Sequence, residues 1–151
     1  MPYTSQATLE DRWPQLQYWS DDNTDGTIDS AVVTDAIQQA DAIIDRAASQ
    51  QYEVPLTLGN TQTAEIVDQM SGLLSAYYLA VRTNDTAFLD LIQDEYKETT
   101  KFLEKLAAGK FVLEGEDTRE VQRPSGEVVF KGDTQTATGR TANEPSNLQG
   151  W

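Results

Sequence analysis

Apolar residues recur along this chain at spacings of three and four, the period of a helix with one buried face. Between residues 31 and 50 they fall at Val33, Ala36, Ile37, Ala40, Ile43, Ile44 and Ala47. At 100° per residue these make one stripe about 120° wide. Asp35, Gln38 and Asp45 lie opposite it, and Asp41 lies on its flank. Asp29 or Ser30 supplies a short oxygen for the free amides of the first turn. A second stripe, Ile66, Val67, Met70, Leu73, Leu74, Tyr77 and Val81, predicts a helix over 63–82. A third, Phe88, Leu89, Ile92, Tyr96, Thr99, Phe102, Leu103 and Leu106, predicts one over 86–108, capped by Asp85 and ended at Gly109. Lys97, Lys101 and Lys105 suit its C-terminal half through the helix dipole.

Residues 5–12 read as a short leading helix that stops at Trp13-Pro14, with Trp13, Tyr18 and Trp19 folding back over the core. The expected fold is therefore all-α: an antiparallel bundle of three to four helices over residues 1–113. Between the first two long helices, Pro55 turns Val54 toward extended geometry. After Leu113 the composition shifts to Thr, Gly, Glu, Gln and Asn, so residues 114–151 are expected to form an extended C-terminal arm. Val121 and Val128-Val129-Phe130 flank Pro124-Ser125-Gly126, which predicts a short β-hairpin within it. Trp151 ends the arm, either as a loose end or as an anchor for a partner's pocket.

Composition narrows the chemistry. The 151 residues include no Cys and no His, which excludes disulfides, thiolate nucleophiles, imidazole bases and zinc fingers. The net charge is −14, the wrong sign for a protein that grips phosphates. Residues 1–96 contain 16 acids against Arg12, Arg46 and Arg82, and residues 97–151 contain nine acids against eight bases. Such an acidic stretch is either a solvated surface or one that an anion must pass without sticking. No apolar run is long enough to span a membrane, and Met1-Pro2-Tyr3-Thr4 does not start a secretory signal, so the cytoplasm of the producing cell is expected.

One local motif carries a mechanism. Asp21, Asn23, Asp25 and Asp29 occupy positions one, three, five and nine of a calcium loop, with Gly26 at the sharp turn. Val32 stands where the closing bidentate Glu belongs, so a cation would be weakly held or completed by a neighbour. The same residues equally suit a loop of Asx turns leading into a helix. Calcium is the only cofactor the chain invites. Asp94, Glu95 and Glu98 lack the His that a carboxylate di-metal site requires, and are expected to pair with Lys97, Lys101 or Lys105. No nucleophile, base or phosphate loop is assembled, and no catalytic residue is expected.

The spacing of these features resembles a family of tailed-bacteriophage morphogenesis proteins typified by a member in the head gene cluster of phage Mu. The likeness runs from Tyr3, Leu9 and Arg12 through the turn at Asp21–Asp29 to Ala36-Ile37 and Ala40-Asp41-Ala42-Ile43-Ile44-Asp45. It continues in Gln51-Tyr52-Glu53-Val54-Pro55-Leu56, Tyr77-Tyr78-Leu79, Arg82, Tyr96 and Leu106-Ala107-Ala108-Gly109-Lys110, and ends near Leu113. The resemblance implies a head–tail connector, also called an adaptor or neck protein. It implies a homo-oligomeric ring, commonly of twelve copies, below the portal protein, extending the DNA channel and docking the tail or stopper protein. It also implies a place in the virion neck after assembly in the host cytoplasm. DNA would pass without sequence recognition, and no membrane partner is implied. A small calcium-binding module and an acidic DNA mimic are the alternatives.

Overall fold

The computed structural model describes residues 1–118. The hairpin expected around Val121 and Val128–Phe130, and Trp151, lie outside the described residues. Among those described, the chain is all-α, with helices α1 (Gln6–Arg12), α2 (Leu16–Ser20), α3 (Ser30–Ala48), α4 (Thr61–Thr83) and α5 (Thr86–Ala107). The three long helices follow the three apolar stripes, and α1 is the short leading helix. The added element is α2, a single turn and a half that is too short to show a period.

Local chemistry sets the ends. Asp29 caps α3 by accepting from the Ala31 amide at 3.0 Å. Asn60, which the apolar pattern does not reveal, caps α4 through the amides of Gln62 and Thr63. Asn84 closes α4 in the left-handed conformation at φ 55°. Asp85 immediately caps α5 through the Phe88 amide at 3.1 Å. Gly109 follows α5 at φ 69°, the conformation that ends a helix at low cost for glycine.

Two clusters of buried residues give the helix directions. One joins Ala40, Ile44 and Ala48 of α3 to Val67, Met70 and Leu74 of α4 and to Leu103 and Leu106 of α5. The other joins Val33, Ala36 and Ile37 to Leu73, Ala76, Leu79 and Ala80 and to Phe88 and Ile92. The end of α3 thus meets the start of α4 and the end of α5. It follows that α4 runs antiparallel to both α3 and α5.

The first layer over this bundle comes from α1 and α2. Leu9, Leu16 and Trp19 are fully buried in the second cluster. Trp19 packs its ring 4.3 Å from that of Phe88 and donates its indole N–H to Asp85 at 3.0 Å. These bonds, the indole first and the Phe88 amide second, lower the Asp85 pKa below the ordinary carboxylate range. Tyr18, by contrast, is 71% exposed. Of the predicted stripe positions, Ile43 on α3 is 36% exposed and Val81 on α4 is 47% exposed, so the stripes are buried less completely than their spacing predicts. Val81 faces solvent near the end of α4. It lines a groove between α3 and α4 with Val32 and Tyr78.

The Trp19 ring therefore joins the N-terminal segment to both α4's end and α5's start. Replacing Trp19 with Ala should destabilise the protein by about 3–5 kcal/mol, read as a lower thermal midpoint by circular dichroism.

Candidate functional site

At the end of the bundle where α3 and α5 finish, the chain must cross from α3 to α4 without helical hydrogen bonding. Residues 49–60 make this crossing, and residues 108–118 return over them. Buried amides here need partners supplied by side chains. Tyr3 provides one. Its hydroxyl accepts from the Leu56 amide at 2.8 Å and donates to Asp45 on α3. Burial, then the bond to Asp45, pushes the Tyr3 pKa far above that of a free phenol, so the hydroxyl stays protonated as a donor.

Tyr52 repeats the device. Its hydroxyl accepts the Leu113 amide at 2.8 Å, and Leu113 is itself buried. Glu116 completes the arrangement from the returning strand of chain. Its carboxylate accepts from the amides of Thr57 at 2.8 Å and Leu58 at 2.7 Å, and from the Thr57 hydroxyl at 3.0 Å. Leu58 is thereby held at φ 52°, a conformation uncommon for a branched residue. The Thr63 hydroxyl donates to the Glu114 carbonyl at 2.8 Å, and Gln51 reaches the Ala107 carbonyl at 3.3 Å. Gly115, at φ 82°, passes so close to Asn60 that a Cβ there would lie 2.9 Å from the Asn60 Cβ. An isolated antiparallel bridge joins Tyr52 to Thr118.

Asp41 lies beneath the N-terminal segment. It accepts from the Tyr3 amide at 3.1 Å and from the Ser71 hydroxyl at 2.6 Å. Burial raises its pKa, and those two hydrogen bonds offset part of the rise.

The predicted calcium residues lie at the opposite end, between α2 and α3, where the carboxylates of Asp21, Asp25 and Asp29 accept local hydrogen bonds. Asp21 accepts from the amides of Asp25 at 3.1 Å and Gly26 at 2.9 Å. Asp25 takes the Thr27 hydroxyl at 2.6 Å and its amide at 2.9 Å, which lowers the Asp25 pKa. Asn23 gives its backbone carbonyl to the Thr24 hydroxyl at 2.7 Å. Asp29 is the cap of α3. Asp22, which is not in the predicted ligand set, pairs with Arg82. Among the described residues no three or more acidic side chains converge on a metal-sized point.

This end of the bundle is strongly acidic. Residues 16–38 and 76–94 carry Asp21, Asp22, Asp25, Asp29, Asp35, Asp85, Asp90 and Asp94, with Arg82 as their sole base. On α5 the expected pairing occurs at Lys97 and Asp94, 3.9 Å apart. Glu95 and Glu98 form no such pair among the described residues, which corrects the expectation for them. No described helix is long and apolar enough to cross a membrane.

The amino-acid sequence itself matches a known family. A family model described as Bacteriophage Mu, Gp36 covers residues 3–131. The chain belongs to the phage Mu Gp36 family. That is a head-to-tail connector family, and the chain has the structural connector role of a tailed-phage protein rather than an enzymatic one. No curated protein matches it by sequence. The platform residues Tyr52, Leu56 and Glu116 all fall within the matched residues 3–131, which run past Leu113, where the resemblance is expected to end; Glu116 itself has no local signature.

Two substitutions test the platform. Tyr3→Phe leaves the buried Leu56 amide without an acceptor and should cost about 1–3 kcal/mol in urea unfolding. Glu116→Ala should speed hydrogen exchange at the Thr57 and Leu58 amides while leaving exchange in α4 unchanged.

Proposed function

We propose that this connector works as a ring below the portal, of twelve copies, through which DNA passes without sequence recognition. The family match is the observation that carries this reading. The platform built on residues 49–60 and 108–118 supports it physically. Backbone that would otherwise need water is held by Tyr3, Tyr52 and Glu116, which makes a fixed surface from an irregular crossing. A fixed surface loses little conformational entropy when a neighbour docks. The portal and the tail or stopper are the protein neighbours of this reading, and the virion neck is its location after assembly in the host cytoplasm.

Charge supports a place beside DNA. The acidic end, with eight Asp and only Arg82, repels phosphate over roughly a Debye length of ~10 Å at moderate salt. Like charge at the channel keeps the genome from adhering as it moves. Residues 1–113 then act as the ring-forming bundle and 114–151 as an arm toward a neighbour.

Purified chain mixed with its portal should co-sediment as a ring visible by negative-stain microscopy. Removing residues 119–151 should weaken that complex without unfolding the bundle. A chain that never associates with portal, with or without that segment, overturns the reading.

A further inference from the structure

A groove of about 530 Å³ lies between the α1–α2 junction and α5, with α4 as its floor. Trp13, Met70, Leu73 and Phe102 supply its apolar surface, and Glu95 and Glu98 stand on its α5 side. The cation at its edge is already engaged, since Arg12 meets Asp68 at 2.6 Å. Glu95 and Glu98 are exposed and, among the described residues, have neither hydrogen-bond nor ion-pair partners.

An apolar floor, two aromatic rings and two unpaired carboxylates suit a long cationic side chain. The methylene stem lies on the floor, and the charged head meets carboxylates and ring faces. This chain presents such side chains itself. Lys101 and Lys105 sit one turn apart on the exposed side of α5, and neither forms an ion pair among the described residues. At 100° per residue their midpoint lies roughly 70° around α5 from that of Glu95 and Glu98, and Glu98 is their neighbour one turn away, so the lysines border the groove's α5 wall.

Resting on the connector reading above, we infer that the groove of one copy receives Lys101 and Lys105 of a second copy. Charge complementarity selects this occupant: an acidic groove and an unpaired lysine pair occur on one subunit. The ring of the connector reading makes this contact heterologous, the groove of one copy taking the lysines of the next. Each added copy keeps one open groove and one free lysine pair, and a suitable rotation closes the series into a ring.

The test uses full-length chain in low salt, by sedimentation velocity and native mass spectrometry. Circular dichroism confirms that each variant is folded. Wild type should assemble beyond two copies, and added salt should weaken it because the charges are exposed. Glu95→Lys with Glu98→Lys, and separately Lys101→Glu with Lys105→Glu, should each weaken assembly about tenfold or more. The four changes together, or an equal mixture of the two double variants, should restore it. The inference fails if folded reversal variants assemble like wild type, if the combined variant stays unassembled, if wild type stops at a dimer, or if it stays monomeric throughout. Portal binding is scored in parallel. Its loss in wild type counts against the connector reading, whereas portal binding with no effect of charge reversal counts against the groove contact alone.

Discussion

The crossing from α3 to α4 is the constraint on which the rest of this structure depends. At the other end of the bundle, α4 and α5 are joined through Asn84 and Asp85, which serve as a left-handed stop and a helix cap. No comparable turn joins α3 to α4. Amides of the crossing and of the segment that returns over it lie outside helical hydrogen bonding, and three side chains supply their acceptors. Tyr3 comes from before α1, Tyr52 from the crossing itself and Glu116 from beyond α5. Each bond ties a terminal segment to the middle of the chain. The hydroxyl of Tyr3 also reaches Asp45, so the N-terminal segment, α3 and the crossing are held at one point.

The two ends also differ in how their acids are balanced, although acids exceed bases at both. One end is closed by short turns and carries a concentration of Asp with little basic compensation. The other is closed by an interlocked loop and is where the chain leaves toward its C-terminal segment. α5 spans the two, passing from Asp90, Asp94 and Glu95 to Lys97, Lys101 and Lys105. A connector needs a surface that tolerates moving DNA and surfaces that hold protein, and these requirements favour opposite chemistry. The absence of His and Cys from the sequence agrees with a role that rests on shape and charge.

Much of the bundle was legible because periodicity reports directly on burial. Val33, Ala36, Ile37, Ala40 and Ile44 are all buried as their spacing predicts. Asp85 and Gly109 were readable for the same local reason, since caps and stops depend on residues within one turn. The short α2 was not readable, because five residues cannot display a helical period. Glu116 was hidden for a different reason. Its partners Thr57 and Leu58 are far away in sequence, and its own surroundings have the polar composition of an arm. The Asp-rich turn is compatible with two readings at once. The oxygens of Asp21 and Asp25 have the spacing of cation ligands, yet the same spacing serves the loop's own amides. Glu95 and Glu98 were assigned lysine partners by spacing alone, whereas side-chain placement leaves them unpaired among the described residues.

The most direct measurement is an electron cryo-microscopy reconstruction of the assembled particle with this chain traced in density. The account predicts a closed ring of this protein immediately below the portal, acidic residues near the DNA path and the 49–60 platform against a protein neighbour. Density placing the chain outside the neck, or turning that platform to solvent while the Asp-rich end holds the portal, would contradict it.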